Sequence, residues 1–406
     1  MTIQTQTLSN GLRIIHLPTD SHVAYCGFAI NAGARDEREN EHGLAHFVEH
    51  TLFKGTRKRK AWHILNRMEN VGGELNAYTS KESTFIYSIF MEKDFERGTE
   101  LMSDLIINSQ FPENELKKER EVIIDEIQSY EDSPSELIFD DFENLLFDGH
   151  PLGHHILGNK RSLKSFDSIS GKSFLEHFYV AENMVFFSMS RTDFRQIIKL
   201  AEKYMNTIPR QKTLTIRNKP QNINAKELQK KKKTHLSHVI IGGRAYDMYN
   251  ENRYPLFLLN NILGGPGMNS RLNVSLREKH GLAYNVESNI TSYTDTGVFS
   301  IYFGTDPKNR EQAMQLVEKE ITLLRSKKLT ATQLAAAKKQ AIGQLGVAGD
   351  NKESLFLGLG KSYLHYNRYE MLPEVFMKIE KITAEQVQQT ANEILDPEKI
   401  FRLIYE

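Results

Sequence analysis

Apolar positions along the chain follow two periods. Short runs rich in β-branched and aromatic residues predict strands early on. Leu8-Ser-Asn-Gly-Leu-Arg-Ile-Ile-His16 carries an Asn-Gly turn signal followed by such a run, and residues 24–32 read as a buried strand. A charged loop over residues 35–41 leads to His42-Gly43, where the period changes. Leu44, Phe47, Val48, Thr51 and Leu52 fall at three- and four-residue steps, which predicts an amphipathic helix. A second helix is expected over residues 61–71, stopped by Gly72-Gly73. Residues 74–90 read as a strand hairpin, and 93–107 and 113–130 as helices, the last opening after Phe111-Pro112.

The pattern then repeats. Thr84-Phe-Ile-Tyr-Ser-Ile-Phe-Met91, followed by Lys93-Asp94 and a helix, has a counterpart 212 residues on in Thr296-Gly-Val-Phe-Ser-Ile-Tyr-Phe303, followed by Asp306-Pro307 and a helix. About the same shift lays the helix containing His46 and His50 over Phe257-Leu-Leu-Asn-Asn261, which has no histidine. Between the copies, residues 211–234 are polar and include the run Lys230-Lys-Lys-Lys233. They read as an exposed linker, with a nucleic-acid patch as the sharper alternative.

Composition narrows the function classes. The 406 residues suffice for two or three domains, each with a core of its own. Lys plus Arg is 52 and Asp plus Glu is 52, so the net charge is zero, which argues against a nucleic-acid partner. The one cysteine, Cys26, excludes an intramolecular disulfide and reads as a small core residue. No leader-like segment opens the sequence and no apolar run reaches membrane-spanning length, so a cytoplasmic location and no membrane partner are expected.

The chemistry concentrates in His46-Phe47-Val48-Glu49-His50. Residues i and i+4 of a helix share a face, so His46 and His50 can aim two imidazoles at one ion, a donor set that suits zinc. Glu49 stands to one side, where it can take a proton from a water activated by the metal. A plain solvated face is the alternative. A catalytic zinc needs a third protein ligand. On the helix over 113–130, Glu119 and Glu126 are seven residues apart and share a face, and spacing does not choose between them.

At this point the chain resembles the pitrilysin/insulinase family of zinc peptidases, which carry an inverted His-x-x-Glu-His motif, and within it the short, processing-peptidase-like branch. The likeness rests on five stretches in the family's order: Leu8-Ser-Asn-Gly-Leu-Arg13; Gly43-Leu-Ala-His-Phe-Val-Glu-His-Thr-Leu-Phe-Lys-Gly-Thr56; Gly72-Gly-Glu-Leu-Asn-Ala-Tyr-Thr79; Glu119-Arg-Glu-Val-Ile-Ile-Asp-Glu126; and Arg277-Glu-Lys-His-Gly-Leu-Ala-Tyr284. The resemblance implies His46, His50 and Glu126 as ligands of one zinc per chain, Glu49 as general base and Glu119 as a supporting carboxylate. It implies Asn76 and Ala77 as an edge strand gripping substrate backbone, and Arg277 and Tyr284 as substrate-binding and catalytic groups brought to a zinc site from the second half. In a chain this short, that pair is expected to face the zinc of another subunit. A homodimer is therefore expected, with a heterodimer with a related subunit, or a non-catalytic partner subunit on the same fold, as alternatives. The expected fold is α+β: two structurally similar domains, each an antiparallel sheet packed with helices. The first spans residues 1–218 and holds the metal, and the second spans 219–406 and carries the Arg/Tyr motif. The expected reaction is hydrolysis of peptide bonds in unfolded peptides or extended segments.

Three other features carry less. Leu357-Gly-Leu-Gly-Lys-Ser362 lacks the first glycine of a phosphate loop. Asn261-Ile-Leu-Gly-Gly-Pro-Gly-Met268 reads as a turn or substrate-facing loop. His150, His154 and His155 read as turn histidines rather than a metal site.

Overall fold

The β-branched and aromatic runs become strands, and the three-to-four-residue periods become helices. The computed structural model describes residues 2–211 and 216–406. Its strands are β1 (Gln4–Thr7), β2 (Arg13–Pro18), β3 (Val23–Ile30), β4 (Glu74–Thr79), β5 (Thr84–Met91), β6 (Met184–Ser190), β7 (Glu227–Lys230), β8 (Ser237–Ala245), β9 (Ala283–Ser292), β10 (Gly297–Thr305) and β11 (Phe401–Tyr405). The first helices are α1 (Leu44–Leu52), α2 (Ala61–Glu69), α3 (Phe95–Asn108), α4 (Glu113–Glu131), α5 (Pro134–Leu146), α6 (Lys160–Leu163), α7 (Ser168–Phe178) and α8 (Phe194–Met205). Those that follow are α9 (Arg253–Gly264), α10 (Arg310–Ser326), α11 (Ala331–Ala348), α12 (Lys352–Tyr366), α13 (Leu372–Glu380) and α14 (Ala384–Ile394).

The chain folds into two units. One gathers residues up to 128, 154–217 and 351–369; the other gathers 129–153, 218–350 and 370–406. One crossing lies between residues 217 and 218. The others arise because α5 joins the second unit and α12 the first.

In the first unit the strand order is β1-β2-β6-β3-β5-β4. Strand β6 is buried along its whole length, so its alternating side chains enter two cores. Phe186 faces one with Phe28 and Phe47, and Phe187 faces the other with Phe85 and Phe356. Helix α12 lies over β2, β3 and β6 and closes the second core. A Cβ on its Gly360 would stand 2.8 Å from the Phe187 ring, so the glycine lets helix and sheet approach. Leu357-Gly-Leu-Gly-Lys-Ser362 is thus part of a packed helix. Cys26, on β3, is buried, and burial pushes its thiol up to about 12, as befits a core residue.

The second unit repeats the plan. Its order β7-β11-β8-β10-β9 matches β2-β6-β3-β5-β4 strand for strand, and α5 covers one face of it as α12 covers the first sheet. Both sheets are mixed rather than purely antiparallel: β2 runs parallel to β6, and β7 parallel to β11. The expected linker over 211–234 is also corrected, because β7 forms within it as an edge strand. Lys230 of the charge run bonds Asp141 at 2.6 Å, and the Lys232 ammonium lies over the Tyr405 ring. Lysines on an edge strand discourage further strand pairing. Residues 212–215 of that stretch lie outside the described residues.

Candidate metal centre

Helix α1 carries Leu44, Phe47, Val48 and Leu52 into the core of the first unit, which fixes its rotation. His46 and His50 therefore share one face, their ring centroids 4.6 Å apart. Helix α4 buries Leu116, Ile123 and Ile127, and presents Glu119 and Glu126. Glu126 Oε2 lies 3.8 Å from His46 Nε2 and 3.5 Å from His50 Nε2. Glu119 Oε2 lies 3.2 Å from His50 Nδ1, the opposite side of the same ring, and Glu119 Oε1 bonds Lys54 Nζ at 2.7 Å. The two glutamates that spacing left equivalent thus take different places. Glu126 faces both imidazoles, and Glu119 accepts from the outer nitrogen of one.

His46, His50 and Glu126 each offer a donor atom within 4.8 Å of the others, and they form the candidate metal-binding group among the described residues. Nitrogen and oxygen ligands about 2.1 Å from a tetrahedral zinc would be about 3.4 Å apart, so the observed 3.5 and 3.8 Å fit with a shift of a few tenths of an ångström. The electrostatics fit too. Burial, with His50 beside it, pushes His46 down to about 3, which keeps a lone pair available at neutral pH. Burial raises the Glu49 carboxyl, while the Thr79 hydroxyl and amide pull it the other way. Its Oε2 is buried without a protein partner. A buried orphan carboxylate oxygen is costly unless something polar completes it.

Thr79 ends β4, the edge strand of the first sheet, and α1 packs against that strand. Asn76 and Ala77 lie on β4, with β5 on one side only. Arg277 and Tyr284 belong to the second unit. Arg277 sits on a π-helical segment, Asn273–Lys279, with its guanidinium over the Tyr284 ring, and that tyrosine is 85% exposed. With the turn at residues 264–268 the pair lines a cavity of about 350 Å³. The turn histidines are held otherwise: His150 Nε2 meets the Asn218 carbonyl, and His154 stacks on His42. Lys54 and Thr79 escape sequence reasoning. Lys54 lies one turn beyond His50, and only the approach of α4 gives that position meaning.

Known proteins resemble this chain in sequence and in fold. Residues 14–160 match the family described as "Insulinase (Peptidase family M16)", and residues 171–341 match "Peptidase M16 inactive domain". A Bacillus subtilis (strain 168) protein named "Uncharacterized zinc protease YmxG" is 32% identical over 99% of this chain and 98% of its own. This chain belongs to the insulinase family, peptidase family M16. Another relative, an "Uncharacterized zinc protease" of Rickettsia felis (strain ATCC VR-1525 / URRWXCal2), is 32% identical over 95% of this chain and 93% of its own. The crystal structure of a protease from Helicobacter pylori shares the fold, with a TM-score of 0.92 and 21% identity over 100% of this chain and 99% of that one. A Pseudomonas fluorescens structure titled as a peptidase M16 inactive domain has a TM-score of 0.92 and 20% identity over 100% of this chain and 98% of that one. The M16 "inactive domain" stretch, 171–341, contains none of His46, Glu49, His50 and Glu126. Among the described residues no helix is long and apolar enough to cross a membrane.

Proposed function

We propose that this chain is a zinc metalloendopeptidase that hydrolyses peptide bonds in unfolded peptides or extended segments. The observation that carries the reading is the convergence of His46, His50 and Glu126 beside a buried carboxylate, Glu49, with an unpartnered oxygen. His46, His50 and Glu126 would hold the zinc, which would supply Lewis-acid activation of a water and of the substrate carbonyl. Glu49 is placed to take the proton from that water and return it to the leaving amine, and burial raises its affinity for protons. Glu119 accepts from His50 Nδ1, which holds the ring with Nε2 turned toward Glu126. The free edge of β4, with Asn76 and Ala77, gives an extended peptide a strand to pair with, so main-chain hydrogen bonds carry affinity and many sequences are accepted.

Arg277 and Tyr284 supply a cation and a phenol for the substrate carbonyl, in a second copy of the chain across a homodimer. The exposure of Tyr284 supports a role toward something outside its own unit. The test uses purified protein and a quenched peptide. Wild type should contain one zinc and cleave, lose cleavage on chelation and regain it on zinc addition. Glu49→Gln should keep its zinc and lose about 10²- to 10⁴-fold in kcat. Hydrolysis untouched by chelation or by the substitution would sink the reading.

A further inference from the structure

Helix α1 has an unusual start. Its first N–H groups need acceptors from outside the helix, and the residue that normally supplies one with its side chain is here Gly43. That glycine has φ +94°, and a Cβ on it would stand 2.7 Å from the Leu157 carbonyl, so no capping side chain can be placed there. The acceptor comes from six residues upstream. Glu37 is buried, and its carboxylate accepts the Gly43 N–H at 2.9 Å through Oε2 and the Ala45 N–H at 2.8 Å through Oε1. Ala45 directly precedes His46.

The residues just before Glu37 are tied to the turn after β4. The Ala34 and Arg35 amides donate to the carbonyls of Ser80 and Lys81 at 3.1 and 2.7 Å. Arg35 bonds Glu82 at 2.5 Å, and Asp36 accepts from Arg217 at 2.7 Å, all with side chains largely buried. Residues 80–83 form the turn that joins β4 to β5. One short segment therefore grips the turn of the edge strand at one end and the first turn of the histidine helix at the other.

We propose that Glu37 is a positioning residue for the metal centre: its two N–H contacts fix the rotation of the first turn of α1 and register His46 against β4. The proposal rests on the metallopeptidase reading. A carboxylate can accept both N–H groups at once. An amide keeps one acceptor and sets an NH₂ against the other N–H, and alanine leaves both donors unsatisfied.

The experiment compares full-length wild type, Glu37→Gln and Glu37→Ala. Each is stripped of metal and titrated with zinc against a chromophoric chelator, and its cobalt(II) absorption is recorded. We expect the zinc dissociation constant to rise about tenfold for Glu37→Gln and further for Glu37→Ala, the range seen when groups that orient ligands are removed. The cobalt band should shift, and kcat should fall with KM little changed. A purely structural role would lower the melting temperature and leave the zinc affinity and cobalt spectrum of the folded protein untouched; that result overturns the proposal. Should Glu37→Ala fail to fold, Glu37→Gln decides. If wild type takes up no zinc, or takes it up after His46→Ala, the metallopeptidase reading falls and this inference with it. If wild type binds zinc through His46 and the Glu37 variants match it, this inference alone falls.

Discussion

At the scale of the residue, the candidate metal centre depends on how each ring nitrogen is occupied. His50 is held from two sides: Glu119 meets Nδ1 at 3.2 Å, and Nε2 faces Glu126 at 3.5 Å. Glu119 in turn is held by Lys54 at 2.7 Å. An acceptor fixed on one nitrogen sets the tautomer and orients the other. Lys54→Met should therefore loosen Glu119 and weaken zinc binding by about tenfold, with Lys54→Arg recovering part of the loss. Chelator competition measures both, and equal affinity in Lys54→Met and wild type would refute the relay. The i, i+4 histidines and the neighbouring glutamate were legible in the sequence because helical periodicity alone brings them together. Lys54 was not, because its partner lies 65 residues away on another helix.

At the scale of the element, the helices on the sheets show the same division. The periodicity of α1 and the hairpin of β4 and β5 matched expectation, as their apolar spacing is local. The edge strand β7 did not, because four residues of polar sequence become a strand only when β11 offers a parallel partner. Helix α12 is a further case. Its glycines resembled part of a phosphate loop, but Gly360 serves contact with Phe187. In an exposed helix a glycine-to-alanine change gains roughly 1 kcal/mol. Here the added methyl meets a fully buried ring at 2.8 Å, and Gly360→Ala should instead destabilise the protein by about 1–2 kcal/mol, since overpacking outweighs propensity. Urea unfolding checks the sign. A stabilised variant would mean that α12 can lift from the sheet without cost.

At the scale of the whole molecule, the two units repeat one strand order, and among the described residues the candidate ligands lie in the first. The proposed homodimer, in which the Arg277/Tyr284 pair of each copy completes the candidate metal site of the other, makes a specific prediction. Glu49→Gln and Tyr284→Phe should each be nearly inactive. Mixed under subunit exchange, they should regain about one quarter of the wild-type sites, because half the dimers pair an intact Glu49 with an intact Tyr284 once. Persistent inactivity of the exchanged mixture would exclude the arrangement.

The sequence by itself determined what depends on spacing within one element or on repetition along the chain. The histidine face of α1, the buried strand of Cys26, the edge-strand motif and the duplicated plan with an empty second copy all belong there. Tertiary structure decided what depends on which elements meet. It separated Glu126 from Glu119, although both lie on one helical face, because only the position of α1 distinguishes them. It exchanged α5 and α12 between the units, because each sheet has a second apolar face that its own half of the chain leaves uncovered. It also made Glu37 the cap of the histidine helix, a contact between a loop carboxylate and backbone amides that leaves no periodic trace in the residues themselves.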